Sequence, residues 1–339
     1  MASFGNFSIL CVLFISNFRV ILGEWNTRDY MKREHSLIKP YQGSGLNIPL
    51  WDFSGSTMVT NSFVRLTPDR QSKQGGLWNS MPCHVRDWEL HVHFKVWGQG
   101  TDLFGDGMAI WYSKERMNLG PVFGNKNGFT GLGIFLDTYS NHNGPHNHGH
   151  PYISAMVSNG SLHYDHDRDG THTELAGCES QIRNKDHDTL IAIRYTGNTL
   201  TVSTDIDGKA AWKKCFETKG VHLPTGFYFG ASAATGQLAD NHDIISMKLY
   251  ELTVDHAADD KTDYSKIEPS AEFFASPRDH VKDTQDHVVD PKGGFMSGSM
   301  SGWKLLVIII VGIIGLGICA MVGFIIYTNR QEHQRKRFY

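Results

Sequence analysis

The chain has 339 residues, of which 40% are hydrophobic and 12% aromatic, so it can bury the core of one large domain or of two small ones. Its formal net charge is only −3, and no basic excess favours a nucleic-acid-binding protein. Its 35 glycines, combined with the aromatic content, are typical of an all-β protein with many turns.

An apolar stretch lies near the start of the chain, running from Phe7 to Leu22 and followed by Gly23. A stretch of this length before a small residue predicts a secretory signal peptide over residues 1–23, although no Lys or Arg precedes it. The alternative is a buried N-terminal strand.

Short runs rich in Val, Ile, Tyr, Phe and Thr alternate with Gly, Asn, Asp or Pro between Leu37 and about Val254. Such runs predict β-strands separated by turns, and the clearest alternation is in Trp88–Trp97 (WELHVHFKVW). No helical periodicity of useful length interrupts them. The pattern therefore predicts a large sandwich of two antiparallel sheets.

A turn aspartate, Asp106, stands between two glycines at the start of one predicted strand (FGDGMAIWY). The glycines let a ligand approach the backbone closely, and an aspartate presented in this way can accept two hydrogen bonds from vicinal hydroxyls. The alternative is an ordinary turn residue.

Oxygen-bearing residues gather where the predicted strand GLGIFLD ends. Asp137, Tyr139 and Asn141 are spaced by two, so they project in the same direction from the end of the strand. Carboxylate, carbonyl and amide oxygens are the ligands that Ca²⁺ prefers. Asp169 lies beyond the next two predicted strands, which would return it to the same end of the sheet. The set predicts a discontinuous calcium site, and the alternative is a group of turn-capping residues.

Histidines are concentrated in the following loop. His146, His148 and His150 have a spacing that could present three imidazoles to zinc. The Gly, Pro and Asn residues around them instead favour a mobile, solvated loop, in which the imidazoles could also sense pH. His166 differs because it lies between two aspartates next to the expected calcium ion.

The tripeptide Asn159-Gly160-Ser161 carries two signals. Asn-Gly accepts the positive φ of a type I′ turn, so the runs on either side are predicted to form a hairpin. The same residues form an N-glycosylation sequon, which makes Asn159 an expected glycan acceptor at a hairpin tip.

The C-terminal part of the chain changes character twice. Residues 257–302 are polar and mixed in charge, and they predict a flexible lumenal stalk. Residues 303–327 contain the uncharged apolar run Leu305–Tyr327, which is long enough to cross a bilayer. Residues 328–339 are rich in Arg and Lys, and such tails stay in the cytosol. The prediction is a single-pass type I membrane protein with a lumenal domain.

Three cysteines would then face the oxidising lumen, namely Cys83, Cys178 and Cys215. An odd number predicts one disulfide and one thiol. Cys178 and Cys215 both border strand-like runs and are the favoured pair, which makes Cys83 the expected buried thiol.

Several stretches together resemble the animal leguminous-type (L-type) lectins, and in particular their vesicular integral-membrane branch. They include WDFSGSTMVT, GDGMAIWY, FLDTYSN, YISAMVSNGSLHYDHDRDG and the terminal RKRFY, and the resemblance extends over residues 34–339. It implies a jelly-roll β-sandwich lectin domain over residues 34–256. It also implies calcium-dependent binding of high-mannose N-glycans in the early secretory pathway.

The resemblance further implies roles for individual residues. The calcium ligands would be Asp137, the Tyr139 carbonyl, Asn141 and Asp169. The sugar contacts would be Ser72, Asp106, Asn141, His166 and the loop Gly236, Gln237 and Leu238. The disulfide would join Cys178 to Cys215. In the tail, Arg335, Lys336 and Arg337 resemble a retention signal, and Phe338 and Tyr339 resemble an export signal read by vesicle coat proteins.

Two residues depart from the family pattern. Gln237 stands where the vesicular relatives have an acidic residue, which leaves the discrimination between mannose arms open. Phe135 stands where plant lectins have the glutamate of a transition-metal site, so manganese is not expected.

The function implied is cargo sorting, transport or quality control of glycoproteins between the endoplasmic reticulum and the Golgi, with the protein in the membranes of those compartments. One alternative is a cargo adaptor that binds proteins independently of glycans. The other is a glycosidase, for which paired carboxylates are available. No nucleophile elbow, phosphate-binding loop or HExxH motif is present, so an enzyme is not expected.

Overall fold

The computed structural model describes residues 30–41, 48–141, 148–254 and 262–272. Their secondary structure is almost entirely β. The strands are β1 (Tyr30–Leu37), β2 (Trp51–Gly55), β3 (Met58–Val59), β4 (Val64–Thr67), β5 (Gln74–Asn79), β6 (Trp88–Trp97), β7 (Gly107–Ser113), β8 (Thr130–Asp137), β9 (Tyr152–Asn159), β10 (Ala176–Glu179), β11 (Thr189–Thr196), β12 (Thr199–Asp205), β13 (Lys213–Lys219), β14 (Val221–His222), β15 (Tyr228–Ala234), β16 (Asn241–Glu251) and β17 (Ser270–Ala271). Two short 3-10 helices span His166–Arg168 and Tyr264–Lys266.

Two antiparallel sheets form the sandwich that the sequence predicts. One has eight strands in the order β13-β12-β11-β6-β16-β4-β3, with β1 also paired to β16. The other has seven strands in the order β10-β9-β8-β7-β15-β5-β2. The main core lies between the two sheets, because alternate residues of β6 point inward and are buried, namely Leu90, Val92, Phe94 and Val96.

The seven-stranded sheet is buried on both faces. Ile110, Ile134 and Leu136 contribute to the main core, whereas their strand neighbours Trp111 and Phe135 point to the opposite face. There they meet a second aromatic cluster, supplied partly by connecting segments, that contains Trp78, Phe123, Phe129 and Tyr164. This second core explains why β7, β8 and β9 are nearly continuous apolar runs.

The cysteines behave as expected. Cys178 and Cys215 form a disulfide that joins β10 to β13, which are edge strands of the two sheets. Cys83 is the free thiol in the described part of the chain, and it is buried. Burial raises the pKa of the Cys83 thiol to about 12, so the reactive thiolate is disfavoured.

The predicted hairpin at Asn159 and Gly160 is wrong. Strand β9 ends at Asn159, but the next strand is β10, which pairs with the opposite half of β9 from Ala155 to Tyr152. The run SLHYDH between them is a loop, because Leu162 and Tyr164 pack onto the second aromatic core rather than into a sheet. Tertiary packing thus overrides the local strand pattern.

Part of the predicted flexible stalk is packed on the domain, so that prediction is wrong for residues 262–272. Strand β17 pairs with β14, Pro269 is buried, and Ala271 packs against the main core. The Arg86 guanidinium lies 3.8 Å from the centre of the Tyr264 ring. These apolar and cation–π contacts explain why the segment is ordered on the domain, since a purely polar segment would bury too little apolar surface to pack there.

The predicted signal peptide, transmembrane segment and cytosolic tail lie outside the described residues. Within the residues that the structure describes, no helix is long and apolar enough to span a membrane.

Candidate cation and sugar site

The predicted site residues converge because four strands of the seven-stranded sheet have ends at the same place. Gly107 at the start of β7 pairs with Asp137 at the end of β8, and Asp137 pairs with Tyr152 at the start of β9. Gly107 also pairs with Ala234 at the end of β15. Asp106, the segment after Asp137 and the loop 236–238 therefore lie at one edge of the sheet.

Asp137 and Asp169 form the buried centre of the site, with 5% and 4% of their surfaces exposed. Oδ1 of Asp137 accepts a hydrogen bond from the Tyr139 N–H at 3.1 Å. Oδ1 of Asp169 accepts one from the Asn141 N–H at 2.8 Å, and its Oδ2 accepts one from the Ser140 hydroxyl at 3.4 Å. The loop after β8 is thus attached to Asp169 across 28 residues of intervening chain.

The charges at this centre favour a bound cation. Burial raises the pKa of the Asp137 carboxyl, because a carboxylate loses hydration there, and the neighbouring His150 imidazole opposes the rise. The Tyr164 hydroxyl donates a 3.3 Å hydrogen bond to Oδ2 of Asp137. Ligand atoms of Asp137, Asp169 and His150 all lie within 4.8 Å of one another, a separation that allows them to hold one metal ion. Two buried carboxylates next to a carbonyl- and amide-bearing loop fit calcium.

His148 and His150 are not solvated, and that prediction is wrong for both of them. Their side chains are only 9% and 5% exposed. The His148 ring stacks on Tyr152 with ring centres 3.6 Å apart, and the Gly149 N–H donates to Oε1 of Glu179 at 3.0 Å. The start of β9 and the end of β10 therefore fix this segment. His146 lies outside the described residues.

Asp106 lies beside the cation centre on a cis Gly105–Asp106 peptide. Its backbone carbonyl accepts hydrogen bonds from both the N–H and the hydroxyl of Thr138, at 3.0 and 2.9 Å. Burial raises the pKa of its carboxyl to about 6, an effect that His166 opposes and Asp137 reinforces. The position of Asp106 is thus coupled to the residue that follows Asp137.

The loop 236–238 and Ser72 are connected to Asp106 through Gly236 and Gly105. A Cβ atom on Gly236 would lie 3.1 Å from Oδ2 of Asp106, so glycine keeps the carboxylate accessible from that side. The Gly236 carbonyl accepts a hydrogen bond from the Ser72 N–H at 3.0 Å, and the Gln237 carbonyl accepts one from the Gln71 side chain at 2.6 Å. Leu238 and Tyr139 both lie against Gly105.

His166 is held at the rim of the second aromatic core. Its Nε2 lies 2.8 Å from the Pro121 carbonyl, to which it donates, and its ring contacts Phe123 and Tyr164. Asn159, by contrast, lies at the far end of β9, where it is exposed and donates to Oε1 of Glu268 at 2.9 Å. The tail residues Arg335, Lys336, Arg337, Phe338 and Tyr339 lie outside the described residues.

Sequence reasoning did not identify Thr138, Tyr164 and His150 as parts of the site. Thr138 and Tyr164 carry no local signal, because their contacts depend on strand pairing and on the path of a long loop. His150 did have a signal, since it lies two residues before Tyr152, the strand residue that pairs with Asp137.

The legume-like lectin family model matches residues 28–259 of the chain. The chain is 54% identical over 314 residues to the human vesicular integral-membrane protein VIP36, covering 92% of this chain and 86% of that protein. It is 48% identical over 320 residues to the human VIP36-like protein, covering 94% and 88% of the two chains.

The structure is also similar to the crystal structure of the VIP36 exoplasmic/lumenal domain in its Ca²⁺/Man-bound form. The TM-score is 0.69 at 58% identity, covering 73% of this chain and all of that one. A Ca²⁺/Man3GlcNAc-bound form of the same domain matches with a TM-score of 0.68 at 59% identity, covering 72% and 99%. These matches confirm the predicted all-β, legume-lectin-like fold.

Proposed function

Because the chain belongs to the legume-like lectin family, we propose that it is a calcium-dependent lectin for the mannose residues of high-mannose N-glycans. One observation carries the proposal: two buried carboxylates, Asp137 and Asp169, lie at the same sheet edge as Asp106. The VIP36 domain, which is similar over this whole region, has been solved with Ca²⁺ and with mannose-containing ligands. Binding without cleavage is expected, in keeping with a family of carbohydrate-binding proteins.

In this proposal the calcium ligands are the carboxylates of Asp137 and Asp169, the carbonyl of Tyr139 and the side chain of Asn141. Bound calcium would offset the two buried negative charges and fix the loop between residues 137 and 141. Asn141 then has a defined position beside Asp106, which is itself held through Thr138.

The same proposal assigns the recognition of the hexose to the residues around Asp106. Its carboxylate accepts hydrogen bonds from two sugar hydroxyls, and such charge-assisted bonds are strong and directional. Gly236 leaves room for the ring, while Ser72, Asn141, His166, Gln237 and Leu238 border it. A shallow site of this kind binds one mannose weakly, so affinity depends on engaging several mannoses of one glycan.

The cellular role that we propose is sorting, transport or quality control of glycoproteins between the endoplasmic reticulum and the Golgi. It requires the signal peptide at 1–23, the lectin domain at 34–256, the stalk at 257–302, the membrane span at 303–327 and the tail at 328–339. The basic residues 335–337 and the aromatic residues 338–339 would then contact vesicle coats. The names of the relatives, which describe vesicular integral-membrane proteins, support this assignment.

A glycan-array experiment tests the lectin function. The full-length chain in detergent should capture oligomannose glycans with calcium and release them with EGTA, because the two carboxylates then lose their counter-ion. Asp137→Asn should weaken capture at least roughly tenfold, because it removes the negative charge of one calcium ligand. Asp167→Asn is the matched control, since Asp167 is exposed next to the site and is not assigned as a ligand.

Three results would contradict the proposal. Capture that is insensitive to both EGTA and Asp137→Asn would remove calcium from the mechanism. Retention of client glycoproteins after enzymatic removal of their glycans would instead favour the cargo-adaptor alternative, and release of free sugar from the array would favour a glycosidase.

A further inference from the structure

The side chain of Arg183 makes a bidentate ion pair near the proposed sugar site. Its Nε and Nη2 donate to Oδ2 and Oδ1 of Asp240, both at 2.8 Å. The two side chains are 8% and 0% exposed, so the pair is withdrawn from water. A buried ion pair adds little net stability, because the cost of desolvating two charges offsets most of their attraction. The reason for this pair is therefore to be found in what it holds in place.

The Arg183 guanidinium also contacts the segment that leads to Asp106. Its Cζ lies 4.0 Å from the centre of the Phe104 ring, and Phe104 precedes Asp106 by two residues. Its ion-pair partner Asp240 follows Leu238 by two residues. A guanidinium can bond through its edge and stack through its face at the same time. One side chain thus holds both of the segments that the lectin proposal places around the hexose.

The two segments are neighbouring connections between the sheets. Residues 98–106 connect β6 in the eight-stranded sheet to β7 in the seven-stranded sheet. Residues 235–240 connect β15 to β16 and so cross between the same sheets in the reverse direction. Because β7 pairs with β15 and β6 pairs with β16, the two connections lie side by side. Arg183 bridges them where neither connection is part of a strand.

The position of Arg183 is itself fixed by the end of β6. Arg183 forms an isolated parallel bridge with Val96, and the Asn184 N–H donates to the Val96 carbonyl at 2.9 Å. A Cβ atom on Gly98 would lie 2.2 Å from Oδ1 of Asp240 and 3.2 Å from Nη2 of Arg183. The glycine therefore leaves room for the ion pair against the first residues after β6.

Another ion pair of the domain has the same chemistry in a different setting. Arg65 donates to both carboxylate oxygens of Asp243, at 2.7 and 2.9 Å, and its guanidinium lies 4.8 Å from the centre of the Phe63 ring. Arg65 and Asp243 are cross-strand partners in β4 and β16. That ion pair joins two strands that are already paired, whereas Arg183 joins two connections.

We propose that Arg183 is a positioning residue for sugar binding, which keeps Asp106 and the loop 236–238 at a fixed separation on either side of the hexose. Hydrogen bonds to sugar hydroxyls weaken steeply as their distances and angles depart from the optimum, so a loosened loop would lose affinity. The inference rests on the proposed function, because it requires the hexose to lie between these two segments.

Calorimetric titration of the full-length chain in detergent tests the proposal, with Ca²⁺ and, at saturating calcium, a high-mannose oligosaccharide as the two ligands. In Arg183→Lys the oligosaccharide affinity should fall at least roughly fivefold, because an ammonium can neither bond bidentately nor stack as a planar group. The Ca²⁺ affinity should stay unchanged, since Arg183 bonds to Asp240 rather than to the loop 137–141. Arg65→Lys is the matched control and should leave both affinities unchanged.

A second variant tests the other contact of the guanidinium. Phe104→Leu retains an apolar side chain but removes the aromatic ring, and it should weaken oligosaccharide binding without changing Ca²⁺ affinity. Urea unfolding checks that each variant is folded, and Phe104→Leu decides the question if Arg183→Lys does not fold.

The outcomes separate this inference from the lectin function. Unchanged oligosaccharide affinity in both Arg183→Lys and Phe104→Leu, or equal losses in Arg183→Lys and Arg65→Lys, would overturn the inference and leave the lectin function intact. A wild type that binds no oligosaccharide in the presence of calcium would overturn the proposed function as well.

Discussion

At the scale of single residues, the candidate site contains buried carboxyl groups, and burial disfavours their charged form. Asp137, Asp169 and Asp106 come together at one sheet edge, and burial raises the pKa of Asp137 and Asp106. Stability alone would favour replacing such carboxylates by neutral residues. Their presence is explained by the cation and the sugar that we assign to them.

His242 provides a residue-scale prediction about pH. It is fully buried in β16, bonds to the Thr67 hydroxyl through Nδ1 at 2.7 Å, and has its pKa lowered from 6.5 to about 3 by burial and by the nearby Arg183. The folded state therefore holds the neutral ring, while the unfolded chain binds a proton below about pH 6.5. The contribution of the neutral His242 ring to the free energy of unfolding is therefore fully present above that pH, and it is lost as the pH falls towards 3.

The free energy of unfolding should accordingly fall by about 1.4 kcal/mol per pH unit from this residue alone, beginning near pH 6. Urea unfolding of the full-length chain at pH 7.5, 6.5 and 5.5 measures it. In His242→Phe the slope should decrease by about that amount, whereas His222→Phe, on short strand β14, serves as the control. An unchanged slope in His242→Phe would show that His242 is already protonated in the folded protein.

At the scale of elements, edge strand β10 takes part both in the disulfide and in the contacts next to the cation centre. The Cys178–Cys215 disulfide attaches it to the opposite sheet. The next residue, Glu179, pairs with Tyr152 and holds the Gly149 N–H, and Ser180 donates to the Pro151 carbonyl. The segment that contains His150 is therefore held by Glu179 and Ser180, which directly follow the disulfide-bonded Cys178.

Removing this disulfide should destabilise the whole domain. Cys178→Ala/Cys215→Ala is expected to lower the free energy of unfolding by about 2–4 kcal/mol, because the unfolded chain regains the entropy of an open loop. Denaturant unfolding under non-reducing conditions provides the measurement, with Cys83→Ala as the single-thiol comparison. A double variant as stable as wild type would mean that β10 is held by its sheet contacts alone.

Local sequence patterns predict many of the strands, but they do not predict the contacts between residues that are far apart in the sequence. The alternation in β6 and the spacing of Asp137, Tyr139 and Asn141 are properties of single strands, and the structure brings these residues to the expected sheet edge. The loop from Ser161 to Tyr164 has strand-like residues for a different reason, since it covers the outer aromatic core. His148 and His150 also contact Glu174 and Asp137, respectively, which lie far from them in the sequence, so no short sequence window predicts their burial.

At the scale of the whole molecule, residues 262–272, here called the returning C-terminal segment, pack back onto the described domain. Tyr264 receives the Arg86 guanidinium on its ring, and its carbonyl accepts the Thr225 N–H at 3.0 Å. Glu272 donates its N–H to the Gly220 carbonyl at 3.1 Å. The domain thus extends beyond the residue 256 that the sequence suggests as its end.

Loosening this segment should leave most of the sandwich unaffected. In Tyr264→Ala the amides of Thr225, Val221 and Glu272 are expected to exchange hydrogen severalfold faster, because a cation–π contact and its packing are worth about 1 kcal/mol or more. Hydrogen-exchange mass spectrometry of the full-length chain would detect this, with Lys266→Ala as the surface control. Equal exchange in Tyr264→Ala would show that the β14–β17 pairing suffices on its own.

The two ends of β9 carry different features. Tyr152 begins the strand beside the cation centre, and Asn159 ends it where Glu268 of the returning segment makes contact. Seven residue steps at about 3.3 Å separate them by about 23 Å. A glycan bound at the proposed site would therefore lie at the opposite end of β9 from the contact between Asn159 and Glu268.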